Sequence, residues 1–187
     1  MVNAPESFST ARLLLRRPCL ADAAAIFEYV SDPLAVHYMD YPVCTHVDDI
    51  VKRLQDNPAQ WNTGSFSWVI TIQPDDRPVG LVACWINHPT AGFGYLLNRH
   101  YWGRGYGTEA ARAVVNWAIA QPDIKRVWAT CDAENLASVR VLEKCGLSFE
   151  SRLPGYAVRP NISPLPRDTL MYARVNQDAN YSTPASP

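Results

Sequence analysis

The chain has 187 residues, of which 48% are hydrophobic and 19% charged, and its formal net charge at pH 7 is −1. These values predict one globular domain and argue against a general nucleic-acid binder, which would carry a basic stripe. No apolar run reaches the roughly 18 residues that span a bilayer, and the N-terminus lacks a signal peptide's apolar core. We therefore expect a cytoplasmic protein without membrane contact.

The first half of the chain predicts a strand, two helices and a hairpin. "ARLLLRRP" (11–18) has the length and apolar content of a strand, and "LADAAAIFEYVSD" (20–32) follows with the apolar spacing of a helix. "THVDDIVKRLQDN" (45–57) predicts a second helix. "SFSWVITI" (65–72) and "PVGLVACWI" (78–86) predict strands joined by a polar turn, and the second is apolar enough for a central strand.

The second half alternates strands with helices. Its pattern predicts strands at 91–98, 126–133, 147–153 and 168–175 and helices at 106–120 and 134–146. A strand–helix–strand order predicts a parallel pair, because the helix carries the chain back to the end of the sheet at which the first strand began. We therefore predict a single mixed α/β domain over residues 1–175, followed by a flexible polar tail over 176–187.

A glycine-rich stretch, "HYWGRGYGTEA" (100–110), lies between a predicted strand and a predicted helix. The first amides of a helix have no internal partners, and together with the helix dipole they form an anion site. Gly103, Gly105 and Gly107 allow close backbone approach, and Arg104 adds a cation suited to phosphate. No lysine follows as in a Walker loop, and the spacing is not the G-x-G-x-x-G of dinucleotide-binding folds. A simple flexible lead-in to the helix remains the alternative.

The same stretch resembles the acetyl-CoA loop of the GNAT superfamily of N-acetyltransferases, Q/R-x-x-G-x-G/A, with Gly105 and Gly107 at the small positions. Trp102 departs from that motif but fits the W-G-x-G-Y-x-x-E-A form of the RimJ/RimL-like ribosomal-protein acetyltransferases. "NLASVRVLEKCGL" (135–147) is similar to the second motif of this branch, with Leu147 replacing the usual Phe. The resemblance covers roughly residues 10–175 and is strongest from 91 to 150.

This resemblance implies the GNAT fold and its chemistry. The fold is a mixed, mostly antiparallel sheet of about seven strands with a splayed parallel pair at strands 4 and 5, flanked by about four helices. The implied activity is acetyl transfer from acetyl-CoA to a primary amine, either a protein N-terminus or a small amine, by direct attack in a ternary complex. No metal is implied, and His37, His46 and His100 share no metal-ligand spacing. A CoA-binding regulatory module without catalysis is the alternative.

The resemblance also implies which residues bind the acetyl donor. The pantetheine arm would pair with the backbone at Tyr95, Leu96 and Leu97, and Asn135 would contact the donor as well. The pyrophosphate would bind the loop amides, which belong to Arg104, Gly105, Tyr106, Gly107 and Thr108.

Two residues are implied in catalysis. Ser138 matches a serine that protonates the leaving thiolate in RimL-like enzymes and would also contact the donor. Glu150 aligns with a glutamate suspected as their general base. Without the resemblance, Ser138 and Asn135 would be interpreted as helix caps and Glu150 as an ordinary strand carboxylate.

The acceptor amine is expected opposite the donor, with Tyr38, Asp40, Trp85 and His88 as candidate contacts. Asp40 would suit a cationic amine, although aspartates in loops are often turn formers. The proline-rich "AVRPNISPLPR" (157–167) is predicted to be a loop. It would either close over the acceptor or form a contact in a homodimer, and both roles remain open.

Overall fold

The computed structural model of the chain describes residues 3–61 and 63–176, which form an eight-stranded sheet covered by helices on both faces. The strands are β1 (Ser7–Ser9), β2 (Leu13–Arg16), β3 (Ser65–Ile72), β4 (Pro78–Asn87), β5 (Thr90–Leu97), β6 (Arg126–Asp132), β7 (Ser148–Arg159) and β8 (Ser163–Val175). The helices are α1 (Ala23–Val30), α2 (Val47–Trp61), α3 (Tyr106–Ile119) and α4 (Leu136–Lys144). The strand order across the sheet is β1-β2-β3-β4-β5-β6-β8-β7.

The sheet contains one parallel pair, β5 with β6, among antiparallel neighbours. The two strands pair only where Thr90–Gly92 face Arg126–Trp128. Beyond Gly92 they separate, and β5 keeps a neighbour on its β4 side alone. The mixed sheet with a splayed parallel pair is therefore confirmed. The pair predicted as strands 4 and 5 is β5 and β6, because the short strand Ser7–Ser9 was not predicted.

Alternating side chains of the sheet pack into two apolar clusters, one on each face. On one face α3 packs Ala110, Ala111 and Val114 with no exposed surface against the strands. On the other face α1 and α2 cover Val69 and Leu96. Period-2 alternation along β3 thus sends neighbouring residues to opposite layers, as expected for a central strand.

Helix α2 is longer than predicted, because it continues through Pro58 to Trp61. Proline removes one helical hydrogen bond and normally ends a helix. Here tertiary contacts hold the final turn. The side chain of Asn57 donates a hydrogen bond of 2.6 Å to Ser67 Oγ, and the Trp61 ring packs edge-on against Phe66 with ring centroids 5.2 Å apart.

The proline-rich segment 157–167 is not a loop, so that prediction is wrong. Strands β7 and β8 run through most of it as a long hairpin, and only residues 160–162 form the turn. The segment tolerates prolines because β8 pairs with β6 only from Thr169 onward, so no second neighbour needs their missing amide hydrogens.

At the C-terminal end, the backbone N–H of Asn176 donates to the carbonyl of Lys125 at 2.9 Å. The rest of the predicted tail, 177–187, lies outside the described residues. Among the helices that the structure describes, none is long and apolar enough to cross a membrane.

Candidate functional site

A cavity of about 160 Å³ opens where β5 and β6 separate. Residues 93–95 of β5 and 129–132 of β6 form its floor, and Asn135, Ser138 and Leu142 of α4 form one wall. Residues 38–40, Trp85 and Arg159 form the rest of its wall. The splay therefore creates a polar-edged cavity at the centre of the sheet.

Ser138 lies in the first turn of α4, and its backbone N–H donates to Asn135 Oδ1 at 3.0 Å. Asn135 is thus a helix cap that also lines the cavity. The Ser138 hydroxyl lies beside the phenol of Tyr95 and the thiol of Cys131. Burial raises the pKa of Tyr95 to about 12, so this phenol stays protonated at neutral pH and can donate.

The glycine loop leads directly into α3. Gly105 begins the helix at φ +81°, and Gly103 also has a positive φ of +75°. The first bond of the helix runs from the N–H of Glu109 to the carbonyl of Gly105, at 3.0 Å. The amides of residues 106–108 consequently have no partner within the helix. A Cβ on Gly107 would lie 3.3 Å from the ring of Tyr95, so glycine lets this helix end approach β5 closely.

Glu109 anchors the start of α3 to the turn between β1 and β2. Its carboxylate accepts hydrogen bonds from Thr10 Oγ1 at 2.6 Å and from Nε of Arg12 at 2.7 Å. Arg12 also donates to the carbonyl of Arg104 at 3.0 Å and lies over the ring of Tyr106. Burial alone would raise the pKa of Glu109, yet the bonds from Thr10 and Arg12 hold it below its ordinary value.

Trp102, the residue that departs from the general motif, ties this loop to β5. Its indole N–H donates to the carbonyl of Leu97 at 2.8 Å, although half of its surface is exposed. Arg104 is exposed, with its guanidinium 5.7 Å from the ring centroid of Tyr101. The loop therefore combines a fixed backbone with one cationic side chain that faces solvent.

Three of the four predicted acceptor residues, Tyr38, Asp40 and Trp85, line the cavity. The indole of Trp85 lies across Gly92 and contacts Trp128 edge-on, with ring centroids 5.8 Å apart. Asp40 is exposed at the rim of the cavity. This wall is therefore aromatic, with a carboxylate at its mouth.

The tip of the β7–β8 hairpin is fixed to the segment that carries Tyr38 and Asp40. Asn161 Nδ2 donates to the carbonyls of Val36 at 2.7 Å and Tyr41 at 2.9 Å. Its Oδ1 accepts from the N–H of Val43 at 3.1 Å. No local pattern in the sequence indicates this contact, because the partners lie more than 115 residues apart.

His88 and Glu150 do not reach the cavity. His88 is exposed in the turn between β4 and β5, at the paired end of the β5–β6 pair, because β4 extends to Asn87. Glu150 lies on β7, which β8 separates from β6, and its half-exposed carboxylate forms an ion pair with Arg126. The structure thus separates these two residues from Ser138.

Two arginines that the sequence does not single out lie at or beside the cavity: Arg159 lines it, and Arg167 binds Asp132, which also lines it. Asp132 is only 1% exposed, and its carboxylate accepts from Arg167 Nε at 2.7 Å and from the N–H of Glu134 at 3.0 Å. Burial would raise the pKa of Asp132, but the Arg167 guanidinium holds it below its ordinary value. Arg159 is 7% exposed, and its Nε has no hydrogen-bond partner among the described residues.

The buried thiols are poor nucleophiles. Burial raises the pKa of Cys131 and of Cys145 to about 11, so both stay protonated at neutral pH. Within residues 3–61 and 63–176, no three His, Cys, Asp or Glu side chains are placed to hold a metal ion. The lining of the cavity includes hydroxyl, carboxylate and guanidinium groups.

A wider, open hollow of about 820 Å³ lies against α1. Its charged side chains already pair with one another: Arg16 binds Asp22 at 2.9 Å and Asp76 at 2.6 Å, and Arg77 binds Glu28. Because these charges are already paired, this hollow suits a reaction less well than the cavity at the splay.

Comparisons with known proteins give a consistent picture. Residues 12–148 match the family model described as an acetyltransferase (GNAT) domain. A relative from Bacillus licheniformis, named an uncharacterized N-acetyltransferase p20, is 28% identical over 159 residues, 81% of this chain and 87% of the relative.

Two solved structures share the fold. An acetyltransferase of the GNAT family from Bacillus anthracis has a TM-score of 0.80 at 26% identity, over 91% of this chain and 98% of that one. RimL, a ribosomal L7/L12 alpha-N-protein acetyltransferase solved in complex with coenzyme A, has a TM-score of 0.79 at 22% identity, also over 91% and 98%.

Proposed function

Because the chain belongs to the GNAT family of acetyltransferases, we propose that it moves the acetyl group of acetyl-CoA to a primary amine by direct attack in a ternary complex. One observation carries the proposal: the open edge of β5 and the hydroxyl of Ser138 meet in one cavity at the splay. The fold shared with RimL supports placing the chain in the RimJ/RimL-like branch.

The donor fits the groove that begins at β5. From Phe93 to Leu97 the β6 side of β5 lacks a strand neighbour, so the backbone of Tyr95, Leu96 and Leu97 can pair with the amides of the pantetheine arm. The pyrophosphate would then meet the helix-start amides of the loop, where the dipole of α3 favours an anion. These loop residues are Arg104, Gly105, Tyr106, Gly107 and Thr108.

The transfer requires an uncharged amine and a protonated leaving group. The nitrogen lone pair attacks the carbonyl carbon, the C–S bond breaks, and the sulfur takes up a proton. The Ser138 hydroxyl donates this proton to the sulfur. The neutral Tyr95 phenol beside Ser138 can then donate a proton to the serine oxygen. The ammonium proton leaves through solvent at the mouth, where Asp40 is exposed. Glu150 lies outside the cavity and pairs with Arg126, so its predicted role as base is not part of this proposal.

An acetyl-CoA consumption assay tests the proposal against amino acids, peptides and polyamines. Ser138→Ala should lower kcat by about 10²–10³-fold without changing the affinity for acetyl-CoA, because the loss of a general acid acts on the transition state. Ser148→Ala, at an exposed serine that begins β7, is the matched control and should retain wild-type kcat.

Two results would contradict the proposal. Tight binding of acetyl-CoA with no amine acetylated would identify a regulatory CoA-binding module instead. A Ser138→Ala variant with wild-type kcat would show that this serine does not act as the general acid. Glu150→Gln should behave as the wild type, and a large loss of kcat there would restore its role as base.

A further inference from the structure

The lining of the cavity contains a buried cation, Arg159, that forms no ion pair within the described residues. Arg159 is the last residue of β7, lines the cavity and is 7% exposed. Its Nε has no hydrogen-bond partner, and its guanidinium forms no ion pair with any residue that the structure describes. A buried charge in this state is costly unless another group supplies the opposite charge.

The neighbouring carboxylate does not supply that charge alone. Asp132 already accepts two hydrogen bonds from Arg167, at 2.7 and 3.2 Å, in the geometry of a planar fork. Two guanidinium groups therefore face one buried carboxylate. The remaining carboxylate of the wall, Asp40, is exposed at the mouth.

Arg159 also lies close to where the reaction would occur. Arg159, Ser138 and Cys131 of β6 line the same cavity, and the Cys131 thiol interacts with both the Ser138 hydroxyl and the Arg159 charge. An anion bound to Arg159 would therefore be near the amine that attacks. The anion and the attacking amine would then share one cavity of about 160 Å³, which suits a ligand that carries the two groups close together.

We propose that the acceptor is a free α-amino acid, whose carboxylate binds Arg159 while its amino group lies between Ser138 and the mouth at Asp40. This inference rests on the proposed acetyl transfer and names its acceptor class. Carboxylate and guanidinium form paired hydrogen bonds, which would satisfy the buried Nε. Tyr38, Met39 and Trp85 line the cavity beside this position, so the side chain of the amino acid is apolar or aromatic.

A protein N-terminus does not meet this requirement. Its first residue carries a neutral peptide carbonyl in place of the carboxylate, and a neutral group leaves the charge of Arg159 uncompensated. The thioester oxygen of the donor is neutral as well until the amine attacks.

Binding to the wild-type protein tests the inference without requiring turnover. The protein is saturated with CoA, and calorimetry compares each apolar L-α-amino acid with its α-amide. The amide should bind at least about tenfold more weakly, because a charge-assisted pair is lost and a buried cation is left unpaired. An N-terminal peptide amide should bind as weakly as the amino-acid amide.

Arg159→Met supplies the second measurement. This variant should bind acid and amide equally, and its melting temperature without ligand should be no lower than that of the wild type, because an unpaired buried charge is removed. Arg152→Met is the matched control, since Arg152 lies on the same strand, is exposed and pairs with Asp168 at 2.8 Å. It should keep the preference for the acid.

The outcomes separate this inference from the proposed function. Preference for the acid without any acetyl transfer would support the carboxylate site and contradict the proposed function. Acetyl transfer with equal KM for acid, amide and peptide would support the function and overturn the inference. Failure of every amino acid to bind would overturn it as well. So would an Arg159→Met variant that loses kcat but keeps the acid preference, because Arg159 would then act on the thioester oxygen.

Discussion

The indole of Trp85 occupies the space that a side chain at position 92 would need: a Cβ on Gly92 would lie 2.1 Å from Trp85 Nε1. The two residues face each other across β4 and β5, and Gly92 is also the last residue of β5 that pairs with β6. Gly92 therefore leaves the space that Trp85 fills, and it lies where β5 and β6 begin to separate.

Gly92→Ala should displace Trp85 and raise the KM for the acceptor by about tenfold or more, since overpacking of this kind costs about 1–3 kcal/mol. The affinity for acetyl-CoA should change little, because the donor groove begins further along β5. Gly94→Ala is the control: its Cβ would lie 3.6 Å from Trp85, an ordinary contact. Steady-state kinetics with both substrates varied measure the KM for the acceptor and for acetyl-CoA. An equal rise in acceptor KM for Gly92→Ala and Gly94→Ala would contradict the prediction.

Glu109→Gln should weaken the anchor between the glycine loop and the β1–β2 turn that carries Arg12. We expect a melting temperature lower by about 2–8 °C at pH 7, because a charged acceptor of several hydrogen bonds is lost. The KM for acetyl-CoA should rise, since the loop amides lose their fixed position.

The same variant has a defined pH dependence. The folded-state pKa of Glu109 lies below its ordinary value of 4.5, so its stabilisation is complete above that pH and is lost as the pH falls through the folded-state pKa. The difference in melting temperature between wild type and Glu109→Gln should therefore be constant near neutrality and shrink below about pH 4.5. A difference that grows in acid would contradict this assignment.

Asn161→Asp should loosen the acceptor wall. The aspartate can still accept from the N–H of Val43, but it places a carboxylate against the carbonyls of Val36 and Tyr41, which now lose their donor. We expect a stability loss of about 1–3 kcal/mol and a higher acceptor KM. Ser163→Ala removes a bond that lies wholly within the hairpin and serves as control. Denaturant unfolding and acceptor kinetics measure the two effects.

The cysteines should differ sharply in reactivity. Burial raises the pKa of Cys84 to about 12 and those of Cys131 and Cys145 to about 11, whereas Cys19 is exposed. Iodoacetamide at neutral pH should therefore modify Cys19 first and leave the buried thiols intact until the protein is unfolded. Peptide mapping by mass spectrometry checks this, and early labelling of Cys131 would show that its thiol is ionised.

The order of strands and helices could be predicted because the sequence carries it locally. The helical spacing of Ala110, Val114 and Ala118 and the apolar run of β4 depend on close neighbours in the chain. The hairpin at 157–167 could not be predicted, since its prolines favour a loop unless the missing β6 neighbour is known. The final turn of α2 likewise depends on Trp61 packing against β3.

The site shows the same division. Ser138, Asn135 and the glycine loop lie in contiguous motifs, and the sequence singled them out. Arg159 and Asn161 lie in a segment whose prolines predict a loop, and an arginine or asparagine in a loop is expected to face water. The long hairpin brings Arg159 to the cavity and Asn161 to the 36–43 segment, and Glu109 meets Arg12 across 97 positions of sequence. Such pairings follow from topology and leave no local pattern.

The contact between Asn161 and the 36–43 segment bears on how the specificity for the acceptor amine could be altered. In the proposed function the donor binds β5, the glycine loop and the first turn of α4, whereas the acceptor meets two peripheral segments that the amide of Asn161 joins. Substitutions in those segments can exchange one amine for another without touching the apparatus that handles the acetyl group. A directed-evolution library confined to residues 36–43 and 156–163 would therefore yield variants with altered acceptor preference and an unchanged acetyl-CoA site.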